Sequence, residues 1–372
     1  MKYRRFGSLN FNVSVLSLGA SCLPLKNEAE SIEMIHYAID HGVNYIDLGY
    51  PYNPTEYERL AVLVSKALDG EYRQKVKVAV TLPVPLMSSQ FVFNNYLEKQ
   101  IRLLKTDKID FCVLGELNRE SWSKVTNLDI LRWIENAIKD GRIDKIGFSF
   151  HDDFQLLRNI IEAYSGWSFC QFQFSFMDAE HHPGVSGIRY AAQNGLAVIA
   201  TRPFKGGKLI KNPPEHIAKI WESFPIKRSL VEWCLRWVWD HPEVSTVVVE
   251  MSEMKQVLEN VALADLAEPN SFSVQELILI SKVKDAYMKL KPVNCTTCRC
   301  CMPCPVGIDA PRIFELYNDA VIYGDFETSR FHYKAEQHNA NACTECGKCM
   351  DACPRKIPII KWLKEAAEKL SG

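Results

Sequence analysis

Two runs of cysteines near the carboxyl end constrain this chain more than any other feature. They read CTTCRCCMPCP from residue 295 and CTECGKCMDACP from residue 343. Each run contains three cysteines separated by two residues and a further cysteine followed by proline; these are Cys295, Cys298, Cys301 and Cys304, then Cys343, Cys346, Cys349 and Cys353. Because a 4Fe-4S cluster needs four thiolates, this pattern predicts a protein that holds two such clusters.

In this pattern the proline-linked cysteine of one run completes the cluster of the other run. We therefore predict a first cysteine set of Cys295, Cys298, Cys301 and Cys353, and a second cysteine set of Cys304, Cys343, Cys346 and Cys349. Structural zinc is the main alternative, but a zinc site uses two CxxC pairs and these runs contain triplets. Disulfides would need an oxidising compartment, for which the sequence gives no signal. Cys300, between two predicted ligands, is expected to be a spectator.

Length and charge narrow the function further. The chain has 372 residues, enough for two domains, and a formal net charge of -1, which gives no field that would attract nucleic acid. Its start has no apolar signal segment, and no run of about 18 apolar residues suggests a membrane span. We expect a cytoplasmic protein. Thirteen cysteines indicate a reducing compartment, and the clusters suggest an anaerobic source.

Residues 1 to about 288 alternate short apolar runs with segments of helical period. Eight strands are predicted, namely Val13–Leu18, Tyr45–Asp47, Val76–Thr81, Ile109–Leu114, Ile146–Phe150, Phe169–Gln173, Ala197–Thr201 and Val244–Val249. Strands joined by helices pair in parallel, and eight such units close into a (β/α)8 TIM barrel, an α/β fold. The opening YRRFGSLNFNVS predicts a hairpin on the barrel floor. Residues 289–372 are predicted to form a small, mostly helical, ferredoxin-like domain for the two clusters.

The chain also resembles a known family along nearly its whole length. MKYRRFG, GVNYIDLGYPY, KIDFCVLGELN, IGFSFHD, PFKGGKL, EWCLRWVWDHPEVSTVV and CMPCPVGIDAPRIFELYN stand in the order found in aldo/keto reductases that carry a carboxyl-terminal 4Fe-4S dicluster domain. The resemblance implies carbonyl reduction by a nicotinamide hydride, with an aspartate, tyrosine, lysine and histidine at the barrel mouth. Asp47 and Tyr52 match the first two. Leu82 stands at the lysine position and Gly115 at the histidine position, so the catalytic tetrad is incomplete.

The family's nicotinamide site is also only partly matched. The resemblance implies that Ser149 and Gln171 hold the carboxamide, but Phe150 replaces an asparagine between them in the family pattern. Ser252, Gln256 and Asn260 match the pattern at the last barrel helix, whereas Glu250 stands where the family has glycine. Since a carboxylate at a helix amino terminus repels phosphate, NADP(H) is a possible but doubtful cofactor.

Other charged residues follow the predicted strands and belong at the barrel mouth. His151 comes directly after the fifth strand, and two interpretations stay open. In one it replaces the missing histidine as an acid or base; in the other it is a surface residue, and Asp152 or Asp153 caps the next helix. Glu116, Arg202 and Lys205 follow the fourth and seventh strands, and Arg202 with Lys208 is a candidate anion site. The pair His181 and His182 is a weaker candidate for metal binding.

These observations lead to two hypotheses. The first is an iron-sulfur oxidoreductase that passes electrons between its clusters and a small molecule or cofactor at the barrel mouth, by a route other than ordinary NADPH carbonyl reduction. The alternative is a non-catalytic electron-transfer protein whose barrel docks a partner redox enzyme. The expected partner is an electron carrier of the ferredoxin or flavodoxin type, or such an enzyme. Nucleic acid and membrane are not expected partners.

Overall fold

A computed structural model describes residues 1–180 and 183–371, so His181 and His182 lie outside the described residues. The chain divides into two compact units. The barrel unit comprises Met1–Gly206 and Arg228–Phe272, and the cysteine unit comprises Gly207–Lys227 and the chain from Ser273 onward. The domain boundary expected at residue 288 stays a prediction. No helix in the described chain is both long and apolar enough to span a membrane.

Ten strands occur in the described residues, and eight of them close the barrel. The barrel order is β10-β3-β4-β5-β6-β7-β8-β9, with every neighbouring pair parallel. This confirms the predicted TIM barrel. The strands are β1 (Tyr3–Arg5), β2 (Asn12–Ser14), β3 (Leu16–Gly19), β4 (Tyr45–Asp47), β5 (Lys77–Pro83), β6 (Ile109–Leu117), β7 (Ile143–Phe150), β8 (Phe169–Gln173), β9 (Ala197–Thr201) and β10 (Val244–Glu250).

Helices connect the barrel strands and make up most of the cysteine unit. They are α1 (Glu28–Asp40), α2 (Pro54–Ala67), α3 (Tyr72–Lys75), α4 (Gln90–Leu103), α5 (Arg119–Asn127), α6 (Ile130–Lys139), α7 (Phe154–Ala163), α8 (Gly184–Gln193), α9 (Glu215–Glu222), α10 (Leu230–Trp239), α11 (Met254–Leu263), α12 (Val274–Met288), α13 (Ala310–Tyr323), α14 (Phe326–Ala335), α15 (Lys348–Ala352) and α16 (Ile359–Leu370). Between β9 and α10 the chain leaves the barrel unit, because α9 belongs to the cysteine unit.

The amino-terminal hairpin forms as predicted, with β1 antiparallel to β2. The predicted strand Val13–Leu18 is therefore two strands, the second hairpin strand and the first barrel strand. Phe6 follows β1 and is completely buried, with its ring 4.9 Å from that of Phe111 and 5.8 Å from that of Phe169. Phe111 and Phe169 lie at the amino-terminal ends of β6 and β8, so this aromatic cluster fills the floor and leaves the opposite end for the site.

The cysteine unit has its own hydrophobic core, formed mainly by α13 and α16 around Ile313, Phe314 and Leu363. Cys353 is part of this core, and other predicted ligands pack against its edge. The segment entering the first cysteine run is fixed by Asn318, whose buried side chain accepts a hydrogen bond from the Val293 amide and donates one to the Val293 carbonyl, both at 2.9 Å. Asn318 of α13 therefore anchors the chain two residues before Cys295, the first predicted ligand.

Candidate functional site

Asp47 and Gln171 meet inside the barrel, although they lie far apart in the sequence. The Gln171 amide Nε2 donates to Asp47 Oδ2 at 2.5 Å, and the Gly49 amide donates to Asp47 Oδ1 at 2.7 Å. Both side chains are buried, at 4% and 6% exposure. Burial raises the pKa of Asp47 to about 6. The two hydrogen bonds lower the pKa, but their effect is smaller than that of burial. The structure therefore joins a predicted catalytic residue to a predicted cofactor residue.

Tyr52, Glu116 and His151 form a separate group at the carboxyl ends of the strands, which we call the mouth triad. The Tyr52 hydroxyl donates to Glu116 Oε1 at 3.4 Å, and His151 Nε2 lies 3.6 Å from the same oxygen. Tyr52 is 72% exposed, whereas Asp47 is buried. The two residues matching the family tetrad thus lie in different surroundings. Glu116 provides the link between the predicted catalytic residues Tyr52 and His151.

A bulge in β6 places the Glu116 carboxylate. The pairing of β6 with β7 shifts register between Leu114 and Leu117, and Glu116 has a φ of 60°. This left-handed conformation costs a non-glycine residue about 1 to 2 kcal/mol. The Glu116 amide donates to Ser149 Oγ at 2.8 Å, which fixes the bulge against β7. Bulges often re-aim a side chain next to an active site. The predicted strand end at Leu114 missed this extension.

The positions of the missing lysine and histidine are filled by packing. Leu82 is completely buried. A Cβ atom at Gly115 would lie 2.5 Å from Thr81 Cγ2 and 3.1 Å from Tyr50 Cε2, so no larger residue fits there without rearrangement. Burial, and then the charge of Glu116, raise the pKa of Tyr50, which keeps this phenol protonated. The proton-transfer groups of the family tetrad are therefore replaced by apolar and aromatic contacts at these two positions.

Four of the residues expected to hold a nicotinamide, Ser149, Gln171, Ser252 and Gln256, are engaged in other contacts. Ser149 Oγ accepts from the Glu116 amide, Gln171 is tied to Asp47, and Phe150 is completely buried. Near α11, Gln256 Oε1 accepts from the Ser252 amide at 2.8 Å. Asn260 is buried, and its Oδ1 has no hydrogen-bond partner among the described residues.

Two carboxylates lie where the family binds phosphate, at the start of α11. Glu250 ends β10, and Glu253 is the residue before the first turn of α11, without a capping side-chain hydrogen bond. A Cβ on Gly19 would lie 3.1 Å from Glu250 Cγ, so the Glu250 side chain covers Gly19. Glu250 also contributes to the raised pKa of Asp47, after burial. These charges oppose a phosphate at the helix terminus. Binding of NADP(H) stays a prediction.

Two of the other charged candidates, Lys205 and Lys208, have ion-pair partners. Lys205 Nζ lies 2.7 Å from Asp178 Oδ1 in the barrel unit. Lys208 belongs to the cysteine unit, where its Nζ lies 3.2 Å from Asp319 Oδ2 and 3.8 Å from Asp325 Oδ2. An anion site shared by Arg202 and Lys208 stays a prediction.

A cavity of about 190 Å³ in the cysteine unit is lined by cysteines from both runs. All four members of the second cysteine set line it, together with Cys300 and Cys301; the set is Cys304, Cys343, Cys346 and Cys349. The volume is several times the ~30 Å³ share of one water molecule. Because thiolates are the ligands of 4Fe-4S clusters, the donor set and the space fit such a cluster.

The first cysteine set also brings the two runs together. Cys298 and Cys353 both act electrostatically on Cys295, and Cys295, Cys349 and Cys298 act on Cys301. Burial raises the pKa of Cys295, and raises that of Cys301 to about 11. The sulfurs are spread out, since no three His, Cys, Asp or Glu side chains in residues 1–180 and 183–371 are grouped closely enough for a single metal ion. When bound, clusters in the two sets would supply one-electron redox chemistry.

Left-handed residues shape both cysteine loops in the same way. Thr297 and Arg299 have φ values of 54° and 58°, and Glu345 and Gly347, at the equivalent places in the second run, have 55° and 78°. The Thr297 amide points to Cys295 Sγ at 3.4 Å. Such turns direct amide hydrogens toward sulfur, one of the factors that set the potential of an iron-sulfur cluster. The sequence gives no signal for these turns beyond the glycine.

Comparisons with known proteins agree with this architecture. The model of the aldo/keto reductase family matches residues 15–277, and that of the 4Fe-4S dicluster domain matches residues 294–358. The aldo-keto reductase AKR11C1 from Bacillus halodurans is similar in its holo form, with 23% identity and a TM-score of 0.62 over 76% of this chain and 96% of that chain. Its apo form gives 24% identity and a TM-score of 0.59 over the same shares.

The chain belongs to the aldo/keto reductase family. Its barrel is joined to a 4Fe-4S dicluster domain, and the predicted family with its carboxyl-terminal cluster domain is confirmed. The protein is therefore an iron-sulfur oxidoreductase of this family. The ligand and catalytic residues named above stay predictions.

Proposed function

We propose that this oxidoreductase passes electrons between two 4Fe-4S clusters and a small molecule at the barrel mouth, without ordinary NADPH carbonyl reduction. The observation that carries the proposal is the coexistence of a cysteine cavity suited to a cluster with a mouth in which Leu82 and Gly115 replace the family lysine and histidine. Each cluster carries one electron, so two clusters suit a substrate that takes up two electrons and two protons.

The mouth triad is suited to handling those protons. Near neutral pH an imidazole can both give and take a proton. His151 Nε2 lies 3.6 Å from Glu116 Oε1, which leaves Nδ1 for a substrate. Tyr52 contacts the same carboxylate and can orient a polar group of the substrate. In this proposal His151 exchanges the proton, Glu116 positions it, and the buried Asp47 is structural.

The contacts of the nicotinamide residues support a reaction without NADP(H). Glu250 and Glu253 oppose phosphate at α11, and the Gln171 amide is held by Asp47. Ser252, Gln256 and Asn260 alone would have to hold the dinucleotide.

A redox experiment tests this function. Anaerobic protein with reconstituted clusters is mixed with NADPH, NADH or dithionite, and the clusters are followed by visible absorption and electron paramagnetic resonance. We expect dithionite alone to reduce them. NADPH-dependent cluster reduction, or NADPH oxidation driven by a carbonyl compound, would contradict the proposal.

The reduced protein is then mixed with carbonyl compounds, conjugated alkenes and disulfides. We expect one class to reoxidise the clusters, and Glu116→Gln and His151→Ala to slow this reaction by about 10²-fold or more, the usual contribution of general acid–base catalysis. Glu33→Gln, which changes an exposed carboxylate on α1, is the matched control and should react like the wild type.

One observation favours the alternative function, an electron-transfer protein whose barrel docks a partner redox enzyme. Leu82 and Phe150, which replace polar family residues, are both completely buried and fill space near the mouth. This alternative predicts that no small molecule reoxidises the clusters in the experiment above and that the mouth variants behave like the wild type.

A further inference from the structure

The two cysteine sets lie in different electrostatic surroundings. Lys291 Nζ donates to the carbonyl oxygen of Cys295 at 2.9 Å, and Arg355 and Lys356 directly follow the Cys353-Pro354 pair. Arg355 and Lys356 are exposed. We call Lys291, Arg299, Arg355 and Lys356 the basic rim of the first cysteine set. The chain as a whole has a formal net charge of only -1, so this is a local asymmetry.

Nearby carboxylates offset only part of this charge. Asp351 is exposed two residues before Cys353. Asp309 lies 2.9 Å from Arg299 and neutralises that one member of the rim. Two further carboxylates that act electrostatically on Lys291 have other partners. Asp319 lies 3.2 Å from Lys208, and Glu315 lies 2.7 Å from Arg312. No carboxylate of the described chain lies within ion-pair distance of Arg355 or Lys356.

The second cysteine set has a more balanced surface. Cys346 is exposed and follows Glu345, whose carboxylate lies 2.6 Å from Lys364 Nζ. Asp351 is exposed two residues after Cys349. Both sets present an exposed cysteine, Cys298 in the first and Cys346 in the second. The first set is followed by two exposed basic residues in succession, Arg355 and Lys356, whereas Lys348 stands alone beside Cys349 of the second set.

We propose that the basic rim is the docking surface for an acidic electron-carrier protein, so that electrons are exchanged with the outside through the first cysteine set. This rests on the proposed function. One electron leaves the reduced carrier, which is oxidised, and reduces the group held by the first set; no bond forms or breaks. A basic patch opposite an acidic carrier raises the rate of encounter by about 10- to 10³-fold at low salt and orients the complex. The exposed Cys298 is the closest ligand to solvent on that side.

The test uses reduced flavodoxin as an acidic probe whose flavin absorbance is distinct from that of the clusters. Its reaction with the reconstituted, anaerobic protein is followed by stopped flow at about 0.02 M and about 0.5 M salt, since the Debye length falls from roughly 20 Å to under 5 Å over this range. The variant Arg355→Glu/Lys356→Glu reverses two rim charges. Lys334→Glu/Lys348→Glu makes the same change in net charge at two exposed residues outside the rim, of which Lys348 precedes Cys349 of the second set.

We expect the rim variant to react about tenfold more slowly than the wild type at low salt, with the difference lost at high salt. Titration calorimetry with oxidised flavodoxin should show that the rim variant also binds more weakly than the wild type. An equal loss in both double variants, or a loss only in Lys334→Glu/Lys348→Glu, would overturn the proposal. Reduction by dithionite distinguishes failure of the proposed function from failure of the rim proposal. If dithionite does not reduce the clusters of the wild type, the proposed function is wrong. If dithionite reduces every variant and flavodoxin reacts equally fast with all of them, only the rim proposal is wrong.

Discussion

At the scale of single residues, burial raises the pKa of Asp47, the residue that matches the catalytic aspartate of the family. Its folded-state pKa of about 6 lies above the unfolded value of 3.8, so its contribution to stability is complete below pH 3.8 and is lost as pH rises through 6. We expect Asp47→Asn to be stabilised relative to wild type above pH 6 by up to about 3 kcal/mol, and the gain to disappear near pH 4.

Denaturant unfolding at a series of pH values measures this difference. Asp69→Asn, at an exposed loop position, is the control and should show no such trend. A gain from Asp47→Asn that is the same at pH 4 and pH 8 would show that ionisation of Asp47 has no cost in the folded protein.

Glu116 allows a second residue-scale prediction, because its backbone conformation favours glycine. Glu116→Gly should relieve the left-handed strain and raise stability by about 1 kcal/mol, or roughly 2 to 4 °C in the thermal midpoint. Glu116→Ala keeps the Cβ and the strain and is the matched control. Circular dichroism on heating measures both. If Glu116→Gly destabilises the protein as much as Glu116→Ala does, the Glu116 side chain stabilises the bulge, and its left-handed backbone conformation has no measurable cost.

Local spacing explains which residues were predictable. The cysteine loops follow a short repeated pattern, and Asp47 and Tyr52 stand in a recognisable motif. The contact of Asp47 with Gln171 joins different strands of the barrel, and nothing in either segment predicts it. Glu116 was one of several charged residues after a strand. Only the bulge and the packing of Tyr50 around Gly115 single it out, and both depend on tertiary structure.

At the scale of elements, α13 and the end of α14 are joined by an ionic network. Glu336 accepts hydrogen bonds from Arg312 at 2.7 and 2.9 Å and from His338 at 2.8 Å. Burial opposes ionisation, but these bonds dominate and hold the pKa of Glu336 at about 2. Because this value is below the unfolded one of 4.5, the stabilisation is present above pH 4.5 and is lost as pH falls toward 2.

We therefore expect Arg312→Met to destabilise the cysteine unit at pH 7 and to differ less from wild type at pH 3. Denaturant unfolding followed by tyrosine and tryptophan fluorescence checks this. Lys219→Met removes an exposed pair with Glu215 on α9 and should change stability by less than about 1 kcal/mol at either pH. A constant difference between wild type and Arg312→Met across this range would place the effect in packing instead of charge.

The barrel strands were predictable because buried strands have short, apolar, β-branched sequences. Phe169–Gln173 and Ala197–Thr201 have the predicted bounds. The first predicted strand was too long because Val13–Leu18 is continuously buried, although it serves two sheets. Where burial is uniform, the pattern does not reveal which neighbour each residue pairs with.

At the scale of the whole molecule, cross-run ligation gives a prediction about pairs of cysteines. Cys353→Ser should remove the same cluster signal as Cys295→Ser, and Cys304→Ser the same signal as Cys349→Ser, with about half the iron lost in each. Electron paramagnetic resonance and iron analysis of the reduced proteins check this. Cys300→Ser is the control and should keep both clusters. If Cys353→Ser instead matches Cys349→Ser, each run holds its own cluster.

Neither unit of the molecule is a continuous stretch of chain, because α9 is encoded within the barrel sequence but belongs with α12. The ribosome therefore releases α9 before the helix that it packs against exists, and the cysteine unit can be completed only after the last barrel strand has been made. A gene fragment that stops at Phe272 carries α9 without its partner, whereas one that begins at Ser273 lacks α9. Neither fragment therefore contains all the residues of the cysteine unit.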